Sequence, residues 1–332
     1  MKAILVGAGG MGRAWARNLV SNPETEIAAW VDVVPGQVEQ SSQEVGIEVP
    51  AFVSLSDALR AVEADFVVDV SVPEAHEAVT IEALEAGLPV LGEKPMSVSM
   101  ESARRMVAAS ERAGKLYMVS QSRRYDGRQE AFKQVLGEIG ELGILNVDFY
   151  IGAHFGGFRD KMAHVLVLDM AIHTFDQARY LSGLDPVSVY ADEFNPGWSW
   201  YQDGSSITCL FEMTGGVRFA YRGSWCSEGL HTSWEGEWRA VGSKGTAKWN
   251  GHDLIEAETV VGDEGFHRPV EHQVFQPIDK LGGIAGSLDE FLWALRTGNT
   301  PNGECHDNIK SLAMVFGAIK SAETGRRVEI AL

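Results

Sequence analysis

The sequence predicts an α/β fold: a doubly wound parallel sheet over residues 1–121, then an α+β part over 122–332 built on a large, mainly antiparallel open sheet. Three observations predict it. Short apolar runs alternate with helical segments in the first part, which is the rhythm of a parallel sheet with crossover helices. A glycine-rich turn closes the first of these runs. Beyond residue 121 the period changes to long stretches of alternating apolar and polar residues, as expected of antiparallel strands with one wet face.

In the first part, strands are expected over Ala3–Val6, Ile27–Val31, Phe66–Val70, Pro89–Leu91 and Leu116–Val119. Helices are expected over Met11–Val20, Pro35–Val45, Ser54–Val62, Glu74–Ala86 and Met100–Ala113. Ser54 and Ser99 stand at N-cap positions, and Gly87 and Gly114 at helix ends. The second part opens with a helix near Gln129–Leu136. Strands follow over Ile144–Gly152, Val187–Glu193, Ser206–Met213, Val217–Trp225 and Glu235–Val241, with turns at Thr214–Gly216 and Gly242–Gly245. One helix, Val165–Leu181, interrupts the strands, and Gly286–Arg296 and Asn308–Thr324 close the chain.

With 332 residues the chain suits two domains rather than one core. A formal net charge of −18, from 46 acidic and 28 basic residues, opposes binding to nucleic acid or anionic membranes. No apolar run reaches the length of a membrane span, and Lys2–Val6 leads directly into glycines without a leader-like segment, so a cytoplasmic protein is expected. Cys209, Cys226 and Cys305 are scattered and read as reduced buried thiols; no metal is expected.

The Gly7-Ala8-Gly9-Gly10-Met11-Gly12 turn fits GxGxxG between a strand and a helix, the context of a Rossmann dinucleotide site. Glycines there permit the tight turn, and the helix start offers free N–H groups to a pyrophosphate. Asp32 lies 20 residues beyond Gly12, at the end of the second strand. A carboxylate at that place accepts the ribose hydroxyls of NAD and repels the 2′-phosphate of NADP, so NAD is favoured. The alternative is that Asp32 caps a loop.

Lys94 follows a strand end in Gly92-Glu93-Lys94-Pro95, where ligands of open α/β sheets bind. A lysine there can stabilise a developing alkoxide; a solvated surface lysine is the alternative. Asp169 and His173 are four apart on one predicted helix and share a face. Together they suit a general base and a second hydrogen-bonding group, and an i,i+4 surface pair or a satisfied buried histidine is the alternative.

With these features in hand, the chain resembles the glucose–fructose oxidoreductase / inositol dehydrogenase / rhizopine-catabolism (Gfo/Idh/MocA) family. The resemblance rests on the Gly7–Gly12 turn, Asp32, the Glu93-Lys94-Pro95 turn and the Asp169-x-x-x-His173 helix, in that order along essentially the whole chain. It implies a Lys94, Asp169 and His173 arrangement where the two domains join, with His173 as acid/base, Lys94 on the reacting oxygen and Asp169 positioning substrate. It also implies a cis peptide before Pro95 and a homodimer or homotetramer. Cofactor contacts are further expected from Gly7, Gly9, Gly10, Met11, Gly12, Asp32, Val72, Pro73, His76, Glu93, Lys94 and Gln121. Two departures bear on substrate identity: Met162-Ala163-His164-Val165-Leu166 replaces a Gly-Gly before the helix, and Gln121-Ser122-Arg123-Arg124-Tyr125 varies a segment that often carries Asn or His.

The expected substrate is a small sugar, sugar derivative or inositol whose secondary alcohol becomes a ketone. Six of nine tryptophans fall between Trp198 and Trp249, and Trp198 and Trp200, in a loop-like context, are the candidates for stacking on a sugar ring. His154, Arg123, Arg124 and Arg159 are candidate substrate contacts, with Arg128 and Lys161 nearby in sequence. Such a basic group can hold a carboxylate, sulfonate or phosphate, and salt bridging is the alternative. Two other functions use the same residues: glycoside cleavage through transient oxidation, and nucleotide sensing without chemistry.

Overall fold

The computed structural model describes residues 1–332 and divides the chain into two compact units, Met1–Ser122 with Gly282–Leu312, and Arg123–Leu281 with Ala313–Leu332. In chain order the first unit begins β1 (Lys2–Val6), α1 (Gly10–Ser21), β2 (Glu26–Val31), α2 (Gln37–Val45), β3 (Ala51–Phe52), α3 (Leu55–Ala61) and β4 (Phe66–Asp69). It continues with α4 (His76–Glu85), β5 (Val90–Glu93), α5 (Met100–Ala113) and β6 (Tyr117–Ser120). The six strands are all parallel in the order β3-β2-β1-β4-β5-β6, a doubly wound sheet whose winding reverses between β1 and β4.

Local chemistry explains the helix limits. Ser54 Oγ accepts the Asp57 amide and Ser99 Oγ accepts the Ser102 amide, each satisfying a donor that the first helical turn leaves orphaned. Gly114 ends α5 at φ 60°, a left-handed position that favours glycine.

The second unit contains α6 (Gly127–Glu138), β7 (Leu142–Tyr150), α7 (Ile172–Ser182), β8 (Pro186–Phe194), β9 (Ser206–Met213), β10 (Arg218–Ser224), β11 (Glu237–Gly242), β12 (Gly245–Trp249), β13 (Ile255–Val260) and β14 (Val270–Phe275). The helices α8 (Gly283–Thr297) and α9 (Cys305–Thr324) and the short β15 (Val328–Glu329) complete the chain. Nine strands run β14-β13-β12-β11-β7-β10-β9-β8-β15, antiparallel throughout except for the parallel β7–β10 pair. One face is packed with Val147, Phe149, Ala191, Phe211, Phe219, Tyr221, Trp238 and Trp249, all nearly or fully inaccessible. The other carries Tyr190, Leu210 and the Arg222–Asp148 ion pair. No helix is long and apolar enough to cross a membrane.

Three differences from the sequence reading have physical causes. A single cut at residue 121 is corrected, because Gly282–Leu312 returns to the first unit: α8 packs on α1, and Phe291 meets Phe66 at 5.4 Å between ring centroids. Continuous α-helix over Val165–Leu181 is corrected to π-type turns over Leu166–Ala171 followed by α7. The strands β3, β12, β13, β14 and β15 were not anticipated; β14 exposes five of its six residues, so it carries no alternation to read.

Candidate active site

The glycine turn of the first unit is defined by close approaches. Gly7 adopts φ 100°, and a Cβ on it would meet Val70 O at 2.4 Å. A Cβ on Gly12 would meet Gly7 O at 2.1 Å, so α1 can lie on the turn only with glycine there. That carbonyl is held by Trp30 Nε1 at 2.8 Å, and the Ala8 carbonyl by Ser41 Oγ at 2.6 Å. Around Gly9 and Gly10, by contrast, nothing lies within 4 Å of an added Cβ. Gly9 caps α1 without a side-chain hydrogen bond, and the first turn contains no acidic residue. Open space, uncapped amides and the helix dipole together suit a pyrophosphate.

Asp32 sits immediately beyond β2. Its Oδ2 accepts the Ala8 amide at 2.7 Å and its Oδ1 accepts the Val34 amide at 2.9 Å. The carboxylate therefore caps its own loop and is also anchored against the glycine turn. Gln121, at the end of β6, is buried, and its Nε2 has no hydrogen-bond partner. A buried amide N–H without an acceptor costs free energy unless a ligand supplies one, and this orphan at a strand end fits a dinucleotide's carboxamide. Val72 and Met11 are exposed at the β4 turn and the α1 start, and Pro73 is half-buried beside Val72.

Two of the expected cofactor contacts, Glu93 and His76, are tied into the protein around the Lys94 turn. Glu93 is buried, with Oε1 accepting Trp15 Nε1 at 2.7 Å and Oε2 accepting the Lys94 amide at 3.1 Å. Burial pushes its carboxyl pKa up, opposed by the Trp15 hydrogen bond and the Lys94 charge. His76 is buried with Nδ1 3.0 Å from Pro95 O and Nε2 3.0 Å from Ser71 O, so its ring bridges the β4 turn and the Lys94–Pro95 turn. The Lys94–Pro95 peptide is cis. These contacts fix the backbone from which Lys94 emerges.

In the second unit Asp169 lies within the π-type turns and His173 within the first turn of α7. Local widening of this kind is frequent at functional sites. Asp169 Oδ2 accepts Arg159 Nε at 2.6 Å, and both side chains are partly exposed. The Arg159 guanidinium lies 5.0 Å from the Phe155 ring centre and 4.8 Å from that of Phe158. Immediately before the π-type turns, His164 has φ 51° and pairs through Nδ1 with Glu193 Oε2 at 2.5 Å; that hydrogen bond raises its pKa.

The other substrate candidates separate. Arg124 is buried in a two-point pair with Asp176, at 2.8 and 2.6 Å, which is the salt-bridge alternative. Arg123 donates to Trp234 O at 2.7 Å and lies 3.5 Å from Glu235, while Arg128 grips Asp126. His154 stacks on Trp200 at 3.7 Å and lies 2.6 Å from Glu228 Oε1, and Trp200 Nε1 donates to Ala153 O at 3.1 Å. Trp198 is 76% exposed. Sequence reasoning missed Phe155, Phe158 and Trp15; the first two flank Gly156-Gly157, and that aromatic–glycine pattern was the available signal. The cysteines are free and buried. Glu304, Cys305 and His306 gather at the start of α9, bonded to one another and to Glu111.

A doubly wound sheet with an anion-accepting glycine turn, a ribose-type acid and an unfilled amide at a strand end defines a dinucleotide-binding protein. Comparison with known proteins narrows that class. The profile described as "Oxidoreductase family, NAD-binding Rossmann fold" matches residues 1–121, and that of the GFO/IDH/MocA C-terminal domain matches residues 100–248. The chain belongs to the Gfo/Idh/MocA family of NAD-binding oxidoreductases. It is 26% identical to the inositol 2-dehydrogenase of Rhizobium meliloti, over 98% of each chain. It is also 26% identical to the uncharacterized protein y4oX of Sinorhizobium fredii, over 99% of this chain and 95% of that one. A solved oxidoreductase from Agrobacterium radiobacter, in complex with NAD+, L-tartaric acid and magnesium, superposes with a TM-score of 0.87 at 22% identity, over 99% and 98% of the two chains.

Proposed function

We propose that the protein is an NAD-dependent dehydrogenase that reversibly oxidises a secondary alcohol of a sugar, sugar derivative or inositol to a ketone. The observation that carries this reading is the Asp169–His173 segment, where a carboxylate fixed by Arg159 stands one turn before an imidazole. Relatives support it: one is an inositol 2-dehydrogenase, and a structural neighbour binds NAD+ together with L-tartaric acid, a hydroxylated small molecule.

NAD supplies the acceptor for the hydride that leaves the alcohol carbon. The amides around Gly9 and Gly10 would hold its pyrophosphate, Asp32 its ribose hydroxyls and Gln121 its carboxamide. His173 takes the hydroxyl proton as the C–H bond breaks, so the product is a neutral ketone and not a protonated carbonyl. Lys94 donates a hydrogen bond to that oxygen and stabilises it while it is alkoxide-like. Asp169 accepts from a neighbouring substrate hydroxyl and fixes which carbon reacts. In the ketone-reducing direction His173 returns the proton.

The test is NADH formation across inositols, pyranoses and sugar acids, with wild type and His173→Asn side by side. Turnover of the best substrate should fall about 10²–10⁴-fold in the variant while NADH affinity is retained. Equal turnover by the two proteins would remove His173 from the chemistry.

A further inference from the structure

We propose that Arg159 binds a carboxylate of the substrate, so that the preferred substrate is a polyhydroxy acid, such as an aldonate or uronate, rather than a neutral sugar or inositol. This narrows the dehydrogenase reading above and rests on it.

The guanidinium has two hydrogen-bonding edges. Nε engages Asp169 Oδ2 at 2.6 Å, and neither Nη atom meets a protein acceptor. Among the four arginines that the sequence singles out, Arg159 is alone in keeping both Nη groups uncommitted. Arg123 spends its Nη1 on Trp234 O, Arg124 its Nε and Nη2 on Asp176, and Arg128 its Nε and Nη2 on Asp126.

The uncommitted edge is also held still. Phe155 and Phe158 lie within 5.0 Å of the guanidinium carbon, and such contacts favour a fixed cation over a ring face. Gly156 and Gly157, at φ 70° and 68°, form the turn that places these two rings around one arginine. The Asp160 carbonyl accepts the Gln202 amide at 2.7 Å and ties the turn to the Trp200 loop. The side chain is 33% exposed, open to a ligand yet not fully solvated.

Charge selects the ligand class. Arg159 and Asp169 together are neutral, so a phosphate dianion would be met by little net attraction and by the nearby Asp169 carboxylate. A carboxylate carries one charge and two oxygens, the match for a planar pair of N–H donors. Asp169, bridged to the substrate through Arg159, is then positioned by the same ligand that it helps to orient.

The experiment compares matched substrates, D-glucuronate with D-glucose and D-gluconate with D-glucitol, by NAD+ reduction in wild type, Arg159→Lys and Arg159→Met. In wild type the acid is expected to exceed the neutral partner by about 10- to 100-fold in kcat/KM, the worth of a two-point charge-assisted bond. The ratio should fall close to one in Arg159→Met and lie between in Arg159→Lys, which keeps charge but not the fork. Calorimetry of the NADH-loaded protein with malonate, which cannot be oxidised at a carbinol, should show binding by wild type and none by Arg159→Met.

If neutral and acidic members turn over equally in wild type, the anchor is overturned and the dehydrogenase reading stands. A preference that persists in Arg159→Met overturns it as well. If no polyol reduces NAD+, the dehydrogenase reading falls, and malonate binding decides the anchor alone: loss in the variant supports it, absence in wild type or retention in the variant overturns it. Inorganic phosphate displacing malonate at lower concentration than other carboxylates do would overturn the ligand class.

Discussion

Asp32 holds Ala8: its Oδ2 accepts the Ala8 amide at 2.7 Å, so the acid at the end of β2 is fastened to the middle of the glycine turn. The residue proposed to select the cofactor and the turn proposed to carry it are therefore joined by one contact. Replacing Asp32 with Ala should weaken NADH about 10- to 100-fold, the worth of hydrogen bonds to a charged group, and weaken NADPH far less. Fluorescence titration of both nucleotides checks this; an unchanged preference for NADH would contradict the role.

Gly9 and Gly12 should behave oppositely although they belong to one motif. Gly12→Ala forces a methyl against Gly7 O, which lies 2.1 Å from the Cβ position, and should cost at least about 2 kcal/mol of stability. Gly9→Ala meets no protein atom within 4 Å. It should cost less than about 1 kcal/mol, since only the N-cap preference changes. Its loss should appear instead in NADH affinity. Urea unfolding and NADH titration on the two variants separate these effects.

The Arg124–Asp176 pair should be a stability determinant and not a substrate contact. Both side chains are nearly inaccessible, at 4% and 2%. Arg124→Met leaves a buried carboxylate without its two-point partner, which should cost about 3–5 kcal/mol, and Arg124→Met with Asp176→Leu should recover much of it. Chemical denaturation tests the pair; a variant as stable as wild type would mean that solvent reaches Asp176.

His164 should make stability depend on pH. Its hydrogen bond to Glu193 raises its pKa in the folded protein above the ordinary histidine value of 6.5. The folded state therefore holds the proton more tightly than the unfolded chain, and the stabilisation is complete below pH 6.5. It is lost as pH rises through the raised folded value. Unfolding free energies of wild type and His164→Gln should converge as pH rises through that window. A gap that stayed constant would show that His164 contributes by shape alone.

Much of the first unit was readable because its signals are local. The glycine turn, Asp32 and the caps at Ser54 and Ser99 each act within a few residues of themselves. The candidate site was readable as residue types but not as partnerships. Arg159 and Asp169 are ten apart across an irregular segment, so no periodicity links them. Arg124 and Arg159 look alike in the sequence, and only burial against Asp176 or exposure beside two phenyl rings tells them apart. The π-type turns were hidden because Asp169 and His173 stay close in register whether the helix has 3.6 residues per turn or the wider π spacing. Strand β14 was hidden for the opposite reason, having almost no buried side to alternate with.

The return of Gly282–Leu312 to the first unit has a consequence for how such proteins can be recombined. A gene fragment ending at Ser122 would encode α1 and β4 without α8, leaving Trp15's helix and Phe66 without the surface that Phe291 supplies. Exchange of the C-terminal part between relatives at a single junction would graft one parent's α8 onto the other parent's α1. Recombination at one junction is thus hindered, because the first unit is built from two separate stretches of the chain.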